Sequence, residues 1–219
     1  MYGDSGTRLS RHMQDWADRF VAAGYVVIFP DSFMPRGQHE VCTHAANIRP
    51  EAERSRDAWG ARAWLERQTF VRHERIGIIG WSHGGATALW VVDQTISAFR
   101  HGRSDFRAAV AFYPPCKAIA NDAAWATSTT LEILIGANDD WTAASDCKFL
   151  AGRARSAGDP VTFVAFPNAY HGFDNPGQSI ESLQGVLGTA SHTATYGTND
   201  AARRDSIARV MALFEERLK

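Results

Sequence analysis

The chain has 219 residues, of which 45% are hydrophobic and 21% are charged, with a formal net charge of −1. This length and composition predict one globular domain, 1–219, with a single large core. Lys and Arg form no dense cluster, so we expect no nucleic-acid partner. No apolar run reaches the roughly 20 residues of a membrane span. No leader pattern begins the sequence, which predicts a cytoplasmic protein unless a signal lies upstream of Met1. The sequence leaves open whether the protein forms a homo-oligomer.

The first quarter of the chain predicts a helix, a strand and a long loop. The helix spans 8–23 and carries an apolar face of Leu9, Met13, Trp16 and Phe20. Gly24 ends it, and the apolar run 25–30 predicts a buried strand. The polar segment 31–49 contains Pro and Gly and predicts a loop.

The rest of the chain alternates helices with short apolar strands. We predict four strands, at 75–80, 108–113, 131–135 and 161–166. We predict four helices, at 51–68, 85–96, 143–156 and 201–218. Continuous apolar strands that are mostly followed by helices indicate a parallel sheet covered on both faces. Ligands bind such sheets beyond the carboxyl ends of the strands.

A candidate nucleophile stands at the end of the strand 75–80. The sequence Gly80-Trp-Ser-His-Gly84 matches G-x-S-x-G, in which a serine occupies a sharp turn between a strand and a helix. Chance gives about 0.1 such matches in a chain of this composition. The position between a strand and a helix therefore favours Ser82 as a nucleophile over an inert serine in a glycine-rich turn.

A serine nucleophile needs a base and an acid that orients the base. His171 follows the strand 161–166 and is the predicted base, whereas His192 lies in a long polar segment without a strand to fix it. The acid should follow the strand 131–135, where Asp139 and Asp140 are adjacent. We expect Asp139 to orient His171, but periodicity does not separate it from Asp140.

Several other side chains fall near the predicted site. Four aromatic residues could form a substrate pocket: Trp81, Tyr113, Trp141 and Tyr170. For Trp81 and Tyr113 the alternative is that they fill the core. Arg36 could meet a substrate carboxylate or be an exposed loop arginine.

The segment His39-Glu-Val-Cys-Thr-His44 contains metal-ligand types, but no second cluster supports a metal site, so we predict a loop there. Three cysteines, Cys42, Cys116 and Cys147, make no disulfide framework. A disulfide between Cys116 and Cys147 is possible, and free thiols are expected if the protein is cytosolic.

Four segments together resemble the dienelactone hydrolase family. They are the elbow Gly-Trp-Ser-His-Gly-Gly and the segments 30–37, 136–141 and 170–174, and the similarity runs over 16–173. The resemblance implies an α/β-hydrolase fold and hydrolysis of small carboxylic esters or lactones without a cofactor. It supports Ser82, Asp139 and His171, and it favours Asp139 over Asp140. The family's namesakes carry cysteine at the nucleophile position, so serine favours a broader esterase role.

The resemblance also makes this chain N-terminally short. Family members normally begin with further strands, the last of which ends in a His-Gly-x-x-Gly-like turn that donates one oxyanion hydrogen bond. Here the backbone N–H of His83 is the expected first donor and the second is missing, which predicts a late-assigned start codon or a truncated chain. Two alternatives to an esterase follow: another acyl hydrolase, such as a thioesterase or peptidase, and a catalytically silent relative that acts as a binding protein.

Overall fold

A computed structural model describes residues 9–96 and 98–219, and its centre is a four-stranded parallel sheet. The strands lie side by side in chain order as β1 (Gly77–Trp81), β2 (Ala108–Phe112), β3 (Thr130–Gly136) and β4 (Val161–Phe166). The register places Ile79 beside Val110 and Ile133 beside Phe163. The prediction of a mostly parallel sheet is confirmed.

Six α-helices accompany the sheet within the part of the chain that the structure describes. They are α1 (Arg11–Ala22), α2 (Ser55–Leu65), α3 (His83–Val91), α4 (Lys117–Ala120), α5 (Ala144–Ser156) and α6 (Asp200–Leu218). Single turns of 3₁₀ and π helix occupy Met34–Arg36 and Pro50–Arg54. The π-helical turn Pro50–Arg54 shortens the helix predicted at 51–68, because the α-helix α2 begins only at Ser55.

Two glycines of β1 show that helices cover both faces of the sheet. Side chains alternate between the faces of a strand, so Gly77 and Gly80 point in opposite directions. A Cβ atom on Gly77 would meet Leu218 of α6 at 3.0 Å. A Cβ atom on Gly80 would lie 2.0 Å from the carbonyl oxygen of Gly84 in α3. The sheet therefore lies between α6 on one face and α3 on the other.

Helix α1 packs three aromatic or apolar side chains into the core. Ser10 caps its first turn by accepting a hydrogen bond from the N–H of Met13 at 3.2 Å. Met13, Trp16 and Phe20 are buried on one face, as predicted. The inclusion of Leu9 is wrong, because Leu9 precedes the helix and is 38% exposed.

The strand predicted at 25–30 is absent from the described sheet. Within the described ranges, residues 26–30 make no backbone hydrogen bond, and an apolar cavity of 740 Å³ separates this segment from β1. The cavity, here called the β1 groove, is lined by residues that include Phe20, Val27, Phe29, Ile79 and Phe214. The apolar run fails as a strand because no described strand lies beside it to complete a hydrogen-bonded ladder.

A short antiparallel hairpin precedes α6, in the region predicted as a long polar segment. It pairs β5 (Glu181–Gln184) with β6 (Thr193–Tyr196). The N–H and hydroxyl of Thr195 both donate to Asp140 at 2.8 Å, and an isolated bridge joins Tyr196 to His171. The hairpin is thus attached to the loops beyond β3 and β4.

The cysteines depart from expectation. Cys116 and Cys147 form the disulfide that was left open, which joins the segment after β2 to α5, in place of the free thiols expected of a cytosolic protein; Cys42 is unpaired. No helix in 9–96 or 98–219 combines the length and hydropathy needed to cross a membrane.

Candidate active site

Ser82 occupies a strained turn between β1 and α3. Its φ is 52° and its ψ is −119°, a conformation that non-glycine residues rarely adopt, and its N–H donates to the carbonyl of Phe112 at 2.9 Å. The turn brings α3 so close to the sheet that a Cβ atom on Gly80 or Gly85 would collide with backbone. The elbow therefore needs glycine at these two positions. Gly80 is the first glycine of the G-x-S-x-G motif, whereas Gly85 lies one residue beyond its second glycine, Gly84.

The structure brings Ser82, His171 and Asp139 together. His171 Nε2 lies 2.9 Å from Ser82 Oγ, and His171 Nδ1 lies 2.9 Å from Asp139 Oδ2. His171 and Asp139 are buried, while Ser82 is half-buried. Ser82 follows the carboxyl end of β1, Asp139 that of β3 and His171 that of β4, which is the edge where functional groups gather in a parallel sheet.

The loop after β3 fixes Asp139 against His171. Asp139 Oδ1 accepts hydrogen bonds from the backbone N–H groups of Trp141 at 3.0 Å and Thr142 at 2.9 Å. The Thr142 hydroxyl lies 3.0 Å from Asp139 Oδ2 and 3.4 Å from His171 Nδ1. Asp140 points away from His171 and accepts from Thr195 instead. The geometry thus separates the two aspartates, which periodicity does not.

Thr142 is a site residue that the sequence prediction missed. A usable signal was present, because an Asp whose oxygen accepts from the N–H groups two and three residues later forms a common local turn. Asp139 makes this turn with Trp141 and Thr142.

His83 begins α3, directly after the nucleophile position. Burial lowers the pKa of its imidazole to about 4, assisted by the charge of Arg54, whose Nη1 lies 3.0 Å from His83 Nδ1. His83 is therefore neutral at neutral pH. The N–H groups in the first turn of a helix have no partner within the helix, so the His83 backbone N–H is available to an anion.

The predicted pocket residues occupy different environments. Trp141 packs its ring 4.8 Å from the ring of His171 and donates its indole N–H to the carbonyl of Leu187 at 2.8 Å. Tyr170 is half-buried next to His171 in the chain. Trp81 is buried in the main core cluster.

Arg36 is engaged in a pair within the protein. Its guanidinium donates two hydrogen bonds to Asp57 at 2.8 Å, and one more to the carbonyl of Ser32 at 2.8 Å. This bidentate pair with Asp57 uses the donors with which Arg36 could have met a substrate carboxylate.

The candidate metal ligands at 39–44 form a local turn. Glu40 accepts hydrogen bonds from the N–H groups of Cys42 and Thr43 and lies 2.7 Å from His44 Nδ1. Within the part of the chain that the structure describes, no three His, Cys, Asp or Glu side chains group as metal ligands.

A doubly covered parallel sheet, a serine on a strand-to-helix elbow and the order Ser, Asp, His define the α/β-hydrolase class. The family model described as the dienelactone hydrolase family matches residues 5–218. The chain belongs to this family and so to the carboxylic ester hydrolases. A comparison with curated proteins gives no match.

Solved structures share the fold at low sequence identity. A putative dienelactone hydrolase from Klebsiella pneumoniae is 19% identical, with a TM-score of 0.68 over 94% of this chain and 81% of that one. The dienelactone hydrolase-like promiscuous phosphotriesterase P91 from metagenomic libraries is 22% identical, with a TM-score of 0.68 over 96% and 82%. The carboxylesterase Cest-2923 from Lactobacillus plantarum is 17% identical, with a TM-score of 0.65 over 96% and 81%. These likenesses show the α/β-hydrolase fold.

Proposed function

We propose that the protein is a serine esterase that hydrolyses small carboxylic esters or lactones through Ser82, His171 and Asp139. The observation that carries the proposal is the continuous contact from Ser82 Oγ to His171 Nε2 and from His171 Nδ1 to Asp139 Oδ2, each 2.9 Å long. Both distances lie in the range in which a base takes a proton from a nucleophile.

The first half of the reaction acylates the serine. His171 Nε2 takes the proton of the Ser82 hydroxyl while Oγ attacks the ester carbonyl carbon, and the carbonyl oxygen becomes an oxyanion. Asp139 accepts a hydrogen bond from Nδ1–H and stabilises the imidazolium. The oxyanion then collapses, the bond to the alcohol oxygen breaks, and His171 returns the proton to the departing alcohol.

The second half releases the acid. His171 Nε2 takes a proton from a water molecule, whose oxygen attacks the acyl carbon on Ser82. Collapse of the second oxyanion breaks the bond to Oγ, and the proton passes from His171 to Oγ. This cycle consumes one water and restores the enzyme, so it requires neither a cofactor nor a metal.

The oxyanion would be held at the start of α3. The backbone N–H of His83 follows Ser82 directly and lies at the positive end of the helix dipole. An oxyanion hole normally uses a second donor, and loss of one donor costs about 2.7–4 kcal/mol of transition-state stabilisation.

Three considerations support a small ester as the substrate. The namesake family gives ester and lactone hydrolysis, and serine in place of cysteine favours ordinary esters. One structural relative, Cest-2923, is a carboxylesterase, which agrees with this class. The aromatic ring of Trp141 beside His171 suits an apolar acyl group.

The proposal is tested with Ser82→Ala on a panel of short-chain nitrophenyl esters, a thioester and a peptide amide. We expect the variant to lose activity about 10³-fold or more, and wild type to prefer the oxygen esters. Ser156→Ala is the matched control, because Ser156 ends α5, the helix that runs from the carboxyl end of β3 back to the amino end of β4. A fluorophosphonate probe should label wild type and Ser156→Ala but not Ser82→Ala.

Each alternative has its own outcome in this test. Faster turnover of the thioester or the amide would replace the esterase by another acyl hydrolase. Failure of wild type to react with every substrate and with the probe would indicate a silent relative that acts as a binding protein. Activity that survives in Ser82→Ala would remove Ser82 from the mechanism.

A further inference from the structure

Asp174 is a fully buried carboxylate that receives hydrogen bonds from four side chains. Its Oδ2 lies 2.7 Å from His12 Nε2 and accepts from the indole N–H groups of Trp16 and Trp81, both at 2.9 Å. Its Oδ1 accepts from the hydroxyl of Tyr113 at 2.8 Å. The donors come from α1, from the last residue of β1 and from the residue after β2, so one side chain joins three separate parts of the fold.

The balance of protonation keeps this arrangement intact. Burial raises the pKa of Asp174, but the charge of His12 and the hydrogen bonds from His12, Tyr113 and Trp16 lower it further, so the net shift is downward. Burial and the charge of Asp174 raise the pKa of Tyr113 well above its usual value. Asp174 is therefore an anion and Tyr113 a hydrogen-bond donor at neutral pH.

Two of the donors adjoin the proposed catalytic residues. Trp81 directly precedes Ser82, so the hydrogen bond from its indole N–H to Asp174 holds the chain at the point where it enters the turn of the nucleophile. The ring of Tyr113 lies 4.5 Å from the ring of His171. The carbonyl of Tyr113 also accepts from the hydroxyl of Thr142 at 3.1 Å.

Asp174 is itself placed close to the base. It lies three residues after His171, across a turn in which the N–H of Asn175 donates to the carbonyl of Gly172 at 3.0 Å. An ionised carboxylate in the core is costly unless its oxygens are well satisfied, and an apolar side chain would serve simple packing better. The network therefore points to a need for fixed geometry at the two neighbouring catalytic turns.

We propose that Asp174 is a positioning residue for ester hydrolysis, which holds the turn before Ser82 through Trp81 and the ring beside His171 through Tyr113. This inference rests on the proposed function. A misplacement of reacting groups by about 1 Å can lower the rate roughly 100-fold, so a residue that holds them in place contributes to activity without touching the substrate.

The experiment compares three substitutions that each remove one donor to the same carboxylate and keep an aromatic ring. Trp81→Phe and Tyr113→Phe remove donors that adjoin the catalytic turns. Trp16→Phe is the matched control, because Trp16 lies on α1. For each variant, kcat and KM on a nitrophenyl ester are divided by the fraction of enzyme that a fluorophosphonate probe labels, and the urea midpoint is measured.

We expect Trp81→Phe and Tyr113→Phe to lower kcat about tenfold with KM unchanged within about twofold. Trp16→Phe should keep kcat within about twofold of wild type, although its urea midpoint falls as much as theirs. Asp174→Asn should lower kcat about tenfold or more, because an amide nitrogen replaces one of the two accepting oxygens. A purely structural role would lower the labelled fraction and leave kcat per labelled site unchanged.

Wild-type kcat in both Trp81→Phe and Tyr113→Phe, or an equal loss in all three Phe variants, would overturn the inference. If Asp174→Asn does not fold, the three Phe variants still decide the question. Activity that persists in Ser82→Ala, or a wild-type protein without activity, would refute the proposed function and the inference together. An inactive Ser82→Ala beside three equal Phe variants would refute the inference alone.

Discussion

Replacing Asp139 by Asn should reverse the proton arrangement on His171. Asp139 Oδ1 accepts from the backbone N–H groups of Trp141 and Thr142, and Oδ2 faces His171 Nδ1. An asparagine has one oxygen, and two backbone donors claim it. Its NH₂ group then faces Nδ1, which must become the acceptor, so Nε2 carries the proton and cannot take one from Ser82.

The size of the effect follows from the opposite orientation of the amide. Turning the asparagine oxygen toward His171 would restore the active tautomer but leave two backbone N–H groups facing an NH₂ group. Each unsatisfied buried donor costs about 1–3 kcal/mol, so the active arrangement lies about 2–6 kcal/mol higher. At about 1.36 kcal/mol for each factor of ten, kcat should fall roughly 10²- to 10⁴-fold.

The assay is steady-state hydrolysis of a short-chain nitrophenyl ester, with urea unfolding to confirm the fold. Asp140→Asn is the matched control, since Asp140 is exposed and accepts only from Thr195 among the described contacts. We expect its kcat to stay within about twofold of wild type. A kcat for Asp139→Asn within tenfold of wild type, or a larger loss in Asp140→Asn, would refute the tautomer argument.

Burial holds the pKa of His83 at about 4, below its unfolded value of about 6.5, so the unfolded chain binds more protons between these pH values. The free energy of unfolding should fall by at most about 3 kcal/mol in total as the pH drops through this window, at about 1.36 kcal/mol for each pH unit. Urea unfolding of His83→Asn at both ends of the window should show a smaller fall, and a fall equal to that of wild type would contradict this. The bridge between Cys116 and Cys147 spans 31 residues, so replacing both with Ala should cost about 3–4 kcal/mol in urea unfolding, a difference that reductant should abolish. Gly80→Ala should destabilise the fold by at least about 3 kcal/mol, because its Cβ would meet backbone at 2.0 Å. Gly60→Ala, in α2 with open space around it, should stabilise by up to about 1 kcal/mol in the same assay; equal effects would refute the steric argument.

The four strands of the sheet could be predicted because their signals are local. The run 161–166 was predicted with the bounds that β4 has, since Pro160 and Pro167 flank the apolar residues and limit the strand. The run 25–30 carries a comparable apolar signal but forms no strand. A strand also needs a neighbour to pair with, and the composition of a segment says nothing about its neighbour.

The hairpin was missed because its strands look like loops. Glu181–Gln184 contains no β-branched or aromatic residue, and Thr193–Tyr196, which contains two threonines and a tyrosine, is only four residues long. The connection between them is eight residues long, which is outside the short turns that reveal hairpins in a sequence. Its contacts with Asp140 and Trp141 arise only in the folded chain.

The core of the candidate site was predictable, whereas its support was not. Ser82, Asp139 and His171 each follow an apolar strand, and parallel strands bring their carboxyl ends to one edge. Asp174 differs, since its donors His12, Trp81 and Tyr113 are distant in sequence and meet through packing alone. Its closeness to His171 in the chain was the one available signal, and it does not identify the donors.

The β1 groove touches the framework that spaces the three proposed catalytic side chains at one strand, because β1 lines it and the other three strands of the described sheet do not. Their strands belong to one uninterrupted ladder, in which Trp81 is in register with Phe112 and Phe112 with Leu134. The spacing of nucleophile, acid and base is therefore set by the hydrogen bonds that join β1 to β2, β2 to β3 and β3 to β4, on the side of β1 opposite the groove. A side chain or small apolar molecule that fills the groove would therefore act on the nucleophile through Gly80 and Trp81, and it would leave the contact between Asp139 and His171 in place.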